Sequence, residues 1–173
     1  YAEINTAYMT NHNFGGVKTN EMLFLFGFAR FSNYWSMSPI VGIKQRTLSD
    51  EALWGGPMVL SPAGLWSRIF IRTDSRKPII YEIFSIYEKF EKEYSWHFTT
   101  EVEMNLGTRL RLQFEPGYNK QLEINQYIDV FEDVTATEMF GERHIVAQMD
   151  RETVSAELRI DYTFTPKLSL QAY

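Results

Sequence analysis

The chain has 173 residues, a net charge of −5, a mean hydropathy of −0.28 and no cysteine. This length predicts one domain, and the acidic balance argues against nucleic acid as a partner, because phosphate binding requires clustered Lys and Arg. The lack of cysteine excludes a disulfide framework, thiol chemistry and the usual structural zinc sites. The hydropathy and the lack of an apolar run of about 18 residues exclude a helical membrane protein.

Alternation of apolar and polar residues predicts nine strands along the chain. They are expected near residues 2–12, 20–31, 33–45, 64–74, 78–89, 94–105, 108–119, 152–164 and 168–173. The connections that begin at Phe31, Asp74, Asn105 and Thr165 are short, and those between them are long or polar. This alternation is typical of outer-membrane barrels, whose short turns face the periplasm and whose long loops face the exterior.

Two of these strands alternate without error, from Tyr94 to Leu106 and from Thr153 to Phe164. A soluble strand usually has about 5–6 residues, whereas a tilted strand that crosses a bilayer needs about 9–11. The sequence therefore predicts an all-β fold, an antiparallel up-and-down transmembrane β-barrel with long exterior loops. The alternative fold is an aromatic-rich soluble sandwich or a soluble calycin-like barrel.

We expect residues 1–173 to be the C-terminal part of one outer-membrane β-barrel domain. Bacterial barrels have an even number of strands, so nine visible strands predict a partial barrel that lacks strands at one end or both. The alternation also continues up to Tyr173, which favours an excerpt from a longer chain.

Charged residues are expected to line the inside of the barrel. A three-residue turn of Asn105, Leu106 and Gly107 would pair Glu103 with Arg109, Glu101 with Arg111, Thr99 with Gln113 and His97 with Glu115. In the last hairpin, Asp161 would face Gln171 and Arg159 would face Tyr173. The predicted lumen-facing network is Glu101, Glu103, Arg109, Arg111, Glu115, Glu157, Arg159 and Asp161. We favour a static ladder of salt bridges over a selective pore lining.

Other segments are less regular. Residues 22–31 and 78–89 are apolar on both faces, so they need cover from an inner plug, a neighbouring protein or a missing domain. The loop Arg46–Pro62, with Trp54, Gly55, Gly56 and Pro57, is rich in turn residues and could fold over the mouth. From Tyr118 to about Arg151 the alternation continues too far for a bilayer, and we expect a β-ribbon that projects outward.

No catalytic, cofactor or metal residues are predicted. His12, His97 and His144 lack ligand spacing, and Ser61, Ser67 and Ser155 lack the glycines of a nucleophile elbow. The acidic residues Asp129, Glu132 and Asp133 lack the alternate spacing and glycine of a calcium loop, which favours a solvated loop.

Several strings resemble a family of bacterial outer-membrane proteins, common in Bacteroidota, whose barrel domain is of unknown function. They are ALWGGPMVLSPAG (52–64), RTDSRKP (72–78), EPGYN (115–119) and VTATEMFGERHIVAQMDRETVSAELRIDYTFTPKLSLQAY (134–173). The resemblance implies an N-terminal domain similar to carbohydrate-binding family nine ahead of the barrel. In that family an arginine tends to precede the two glycines, where this chain has Trp54, so no role for that arginine is carried over.

The expected function is that of an anchor or subunit of an outer-membrane assembly, without enzymatic activity. Its expected partners are outer-membrane lipid, other outer-membrane proteins or its own missing N-terminal domain. The alternative is a channel or uptake barrel for glycans or other small solutes. A membrane-embedded hydrolase or acyltransferase is disfavoured, because no Ser, His and acid constellation is visible in the sequence.

Overall fold

The computed structural model describes residues 1–54 and 56–173. The strands in this part of the chain are β1 (Ala2–His12), β2 (Lys18–Arg30), β3 (Ser36–Lys44), β4 (Thr47–Ser49), β5 (Val59–Ser61), β6 (Gly64–Arg72), β7 (Ile79–Phe90), β8 (Glu93–Leu106), β9 (Leu110–Glu132), β10 (Glu142–Thr165) and β11 (Leu168–Ala172). Apart from the pair β4–β5, they form one sheet in chain order, and the register of every neighbouring pair is antiparallel. The predicted all-β antiparallel fold is confirmed.

The two faces of the sheet differ in chemistry. One face carries Leu25, Ile69, Ile83, Phe114 and Leu158, and the charges on it, such as those of Lys89 and Lys120, lie near one end. The other face carries the charged side chains of β6–β10 and the phenylalanines of β2. Because side chains alternate along a strand, the sequence pattern alone produces this separation.

The sheet curves toward its charged face. In β2, Leu23 and Leu25 are about half exposed, whereas Met22, Phe24 and Phe26 on the opposite face are less accessible. Side chains crowd together on the inside of a curved sheet and spread apart on the outside. We call the charged face the concave face and the apolar face the convex face.

The described residues form a single main layer rather than two packed sheets. Their buried hydrophobic side chains are Leu53 and Ile80, the latter 3% exposed. A β-sandwich would bury an apolar face between two sheets about 10 Å apart. Residues 1–54 and 56–173 therefore do not form a sandwich on their own.

Both margins of the sheet are open. β1 and β11 each pair on one side only, and no ladder among the described residues joins them. Every residue of these two strands is exposed. No described helix is both long and apolar enough to span a membrane.

One end of the sheet continues into a long ribbon. Beyond the pairing of Tyr94 with Leu122, the strand that pairs with β9 is β10, and the two strands pair up to Glu132 and Glu142. We call residues 123–149 the ribbon, and the end of the sheet that carries it the ribbon end. The short connections between β2 and β3, β6 and β7, β8 and β9, and β10 and β11 lie at the opposite turn end. The predicted pairing of these segments into a ribbon is confirmed.

Candidate functional site on the concave face

The predicted charged network lies on the concave face with one exception. Residues of β8, β9 and β10 supply it: Glu101, Glu103, Arg111, Glu115, Glu157, Arg159 and Asp161. Arg109 instead lies in the turn between β8 and β9, so its assignment to the network is wrong. The faces of the other seven side chains were predicted correctly. The predicted partners of β8 and β9 are displaced by four positions from the observed ones, and an even displacement leaves each side chain on the same face.

β8 and β9 pair in a hairpin as predicted, but the predicted register between them is wrong. Leu106 lies opposite Leu110, and the loop between them is Gly107, Thr108 and Arg109. Gly107 adopts φ +71° at the first position of this loop, whereas the sequence pattern suggested the third. As a result Glu103 faces Gln113, and His97 faces Asn119 rather than Glu115. The other expected opposite pairs, Glu103–Arg109, Glu101–Arg111 and Thr99–Gln113, are also replaced. In the last hairpin Asp161 lies opposite Gln171, as predicted, but Thr165 pairs with Leu168 after a register shift, so the turn is Pro166 and Lys167.

Part of the network is paired. Arg111 Nη2 lies 2.9 Å from Glu103 Oε2, and Asn105 Nδ2 donates to Glu103 Oε1 at 2.8 Å. Glu103 is only 8% exposed, so these two donors compensate for the water that it has lost. Arg159 pairs with Asp161 at 3.1 Å and lies 4.9 Å from the centre of the Tyr173 ring.

Four carboxylates form a row across neighbouring strands, and we call them the acidic row. Glu82 lies opposite Glu101, and Glu115 lies opposite Glu157. Like charges directly opposite each other destabilise a sheet, so this arrangement costs stability. Arg72 pairs with Glu82 at 3.0 Å, and Gln113 donates to Glu101 at 2.9 Å. The sequence analysis missed Glu82 and Arg72, which the register of the β6–β7 hairpin would have revealed.

An aromatic surface covers the other half of the concave face. We call it the aromatic wall; its members are Phe24, Phe26, Phe28, Trp66, Phe70, Phe84 and Phe90. Phe24 and Trp66 meet edge to face with ring centres 6.1 Å apart. Gly42 makes this possible, because a Cβ there would collide with the Phe24 ring. Segments 22–31 and 78–89 were expected to be apolar on both faces. Both do place apolar side chains on each face, but in segment 78–89 the concave face also carries Glu82 and Glu88.

The loop Arg46–Pro62 covers the ribbon end of the concave face. It contains the β4–β5 hairpin, which the sequence analysis missed, and the buried Leu53. Gly56 packs directly over the imidazole of His144, and Trp54 stacks on Tyr127 of the ribbon. Gly55, which was expected in the same turn, lies outside the described residues.

A cavity of about 480 Å³ lies between this loop and the sheet. Leu53 and Leu60 of the loop line one side, and Glu93, Glu123 and His144 line the other. In the described residues no three His, Cys, Asp or Glu side chains come together in a way that would hold a metal ion. Among residues 1–54 and 56–173, neither of the buried ring nitrogens of His144 has a hydrogen-bond partner.

Hydrogen bonds and ion pairs stabilise one turn at the turn end of the sheet and the turn of the ribbon. At the turn end, Arg76 binds Asp74 through Nε and Nη2, at 2.8 Å each, and its guanidinium lies over the Tyr34 ring. Arg76 thereby holds the pKa of Asp74 at about 2. In the ribbon turn, Thr135 and Arg143 donate to Asp133 and hold its pKa at about 2 as well.

The family model "Domain of unknown function (DUF5916)" matches residues 3–173. The chain belongs to this family. No curated protein and no solved structure matches the chain. The DUF5916 match agrees with the expectation of an uncharacterised domain, and the family description assigns no activity to the acidic row or to the aromatic wall.

Proposed function

We propose that this DUF5916 domain forms part of the wall of an outer-membrane β-barrel and serves as an anchor or subunit of an outer-membrane assembly. The observation that carries the proposal is the convex face, which is largely apolar from β2 to β11 and includes the exposed residues Leu25, Ile83, Phe114, Leu158 and Leu170. Water would make such a broad surface unfavourable, whereas hydrocarbon solvates it without cost.

The polar side chains on the convex face support the same proposal. Ser67 Oγ donates to the carbonyl of Tyr87, and Thr100 Oγ1 donates to the carbonyl of Glu82. The indole of Trp96 donates to Ser85 Oγ at 3.1 Å. An unpaired polar group in hydrocarbon costs several kcal/mol, roughly, and the sheet itself pairs these groups.

The height of the apolar band also fits a bilayer. On the convex face of β10 it extends from Val154 to Phe164, which are ten residues apart. At about 3.4 Å per residue this is roughly 34 Å along the strand, and a tilt of about 40° leaves roughly 26 Å of height. The lipid-facing band of an outer-membrane barrel is about 25 Å tall.

The open margins require additional strands under this proposal. β1 and β11 have unpaired backbone groups on their outer sides, and lipid does not hydrogen-bond to them. We therefore propose that other strands of the protein close the barrel. From the sequence resemblance we further propose an origin in the Bacteroidota and a preceding domain similar to carbohydrate-binding family nine.

The concave face is partly covered, and this favours an anchor over an open channel. The loop Arg46–Pro62 lies over its ribbon end. The aromatic wall is a poor lining for water, and a plug or partner would cover it favourably. The paired Glu103 and Arg111 add a fixed ion pair rather than free charge. We assign no enzymatic activity to the domain.

Planar-bilayer recordings of the full-length protein test this assignment. We expect insertion without conductance steps, together with an outer-membrane partner that stays bound through detergent extraction. Steady ohmic steps from the purified protein would contradict the anchor role.

The acidic row favours a second candidate, a channel that prefers cations or cationic solutes. Rings of carboxylates select cations in many channels. If the protein conducts, the double variant Glu101→Gln and Glu115→Gln should lower the cation-to-anion permeability ratio. The double variant Arg109→Gln and Arg111→Gln is the matched control, because Arg109 lies in a turn and Arg111 is already paired. A larger effect from the arginine variant would reject this candidate.

A further inference from the structure

Arg68 occupies an unusual place in the concave face. It lies on β6, with Ile40 opposite on β3 and Ile86 opposite on β7. Trp66 and Phe70 flank it on the same face of its own strand. A guanidinium is thereby set into the middle of the aromatic wall.

The charge of Arg68 has no counterpart among the described residues. Its Nε is buried and makes no hydrogen bond, and its guanidinium forms no ion pair within the described ranges 1–54 and 56–173. Arg72, two positions further along the same face of β6, pairs with Glu82 at 3.0 Å. A cation held against apolar side chains is costly unless an anion accompanies it.

We propose that the aromatic wall binds a small amphiphilic anion. Its carboxylate or phosphate would pair with the Arg68 guanidinium, which favours planar, two-pronged contacts with such groups. Its apolar body would pack on Trp66, Phe70 and Phe84. From Trp66 to Phe70 the strand extends roughly 13 Å, enough for an aromatic ring or a short acyl chain. This inference is argued from the concave face alone, and only the nanodisc format of its test rests on the proposed function; insertion into the nanodiscs tests that function separately from probe binding.

Three probes with the same body and different charge test the proposal. They are 4-butylbenzoate, the neutral 4-butylbenzamide and the cationic 4-butylbenzylamine. Their affinities are measured by calorimetry on the full-length protein in nanodiscs of zwitterionic lipid, with empty nanodiscs as the blank. We expect the benzoate to bind at least about tenfold more tightly than the other two, because a charge-assisted hydrogen bond adds to the shared apolar contact.

Variants assign the effect to Arg68. Arg68→Gln should abolish the preference for the benzoate, and Arg68→Lys should restore part of it. Glu88→Gln should strengthen benzoate binding, because Glu88 faces Trp66 and is the neighbouring carboxylate on this face. Arg109→Gln, in the turn, is the matched control and should leave the affinities unchanged. The circular dichroism of each variant shows whether it is folded.

Repeating the benzoate measurement in nanodiscs that contain phosphatidylglycerol distinguishes the two possible sources of the anion. If phosphatidylglycerol in the nanodiscs competes with the benzoate, the natural ligand is a lipid headgroup. If it does not compete, the ligand is a free carboxylate or phosphate. Equal binding of the three probes, or a folded Arg68→Gln variant that keeps the preference, would overturn the proposal.

Discussion

Placing a charge in the middle of the convex face should destabilise the protein strongly. Leu158 lies near the middle of the apolar band of β10, four residues from Val154 and six from Phe164. It faces Phe114 and is 52% exposed. If hydrocarbon contacts this side chain, Leu158→Arg should lower the free energy of unfolding by about 2–4 kcal/mol, the cost measured for arginine at the midplane of outer-membrane barrels. In contact with water the same exposed position would tolerate arginine to within about 0.5 kcal/mol.

Two further arginine variants serve as comparisons for Leu158→Arg: one at a different depth in the apolar band and one on the opposite face of the sheet. Val154→Arg, at the ribbon end of the same band, should cost only about 0–1 kcal/mol, because the penalty falls toward the interface. Glu157→Arg places the same side chain on the concave face and should be neutral or stabilising, since it removes the like-charge pair with Glu115.

Reversible urea unfolding of the full-length protein in liposomes, followed by tryptophan fluorescence, gives the three free energies. If Leu158→Arg costs no more than Val154→Arg, or if both are within about 0.5 kcal/mol of the wild type, the convex face does not contact hydrocarbon.

Three other predictions concern pairing, packing and pH. Arg111→Gln should lower the free energy of unfolding in urea by about 1–3 kcal/mol, because the substitution leaves the buried Glu103 carboxylate without its ion-pair partner. Glu103→Gln should lower it by less. A larger loss for Glu103→Gln than for Arg111→Gln would contradict this account. Gly56→Ala should displace the loop from the ribbon and increase its cleavage by protease. Gly15→Ala, where a Cβ would make only an ordinary contact of 3.4 Å with Asn13 Oδ1, should not. The pKa of Asp133 is lowered in the folded protein to about 2, so its contribution to the stability of the ribbon turn is present above about pH 4 and is lost as the pH falls toward 2. Hydrogen exchange, corrected for intrinsic rates, should show the turn opening over this interval in the wild type, and Asp133→Asn should lack the transition.

The positions and faces of the sheet strands could be predicted from sequence, because the period of two is local and needs no knowledge of neighbours. The clean alternation from Thr153 to Phe164 correctly placed Leu158 and Glu157 on opposite faces. The extension of alternation past Tyr118 likewise predicted the ribbon, which is confirmed by the pairing of β9 with β10.

Register could not be predicted as well, because it depends on which residue of a turn adopts a positive φ. Gly107 suits more than one position of a three-residue loop. Because it takes the first position in the structure, the loop extends to Arg109 and leaves that residue outside the charged network. The three-residue strands β4 and β5 are too short to show a period. The isolation of Arg68 depends on the registers of β3, β6 and β7 together, which no single segment reveals.

Accessibility of spin labels along β9 tests the central claim most directly. The chain contains no cysteine, so labels are added by Leu112→Cys on the convex face and Gln113→Cys on the concave face. In liposomes, the label at position 112 should collide frequently with oxygen and rarely with a water-soluble nickel complex, and the label at 113 should show a lower ratio of oxygen to nickel collisions. Equal nickel access at both positions, or restricted access of both reagents at 112, would show that lipid does not contact the convex face.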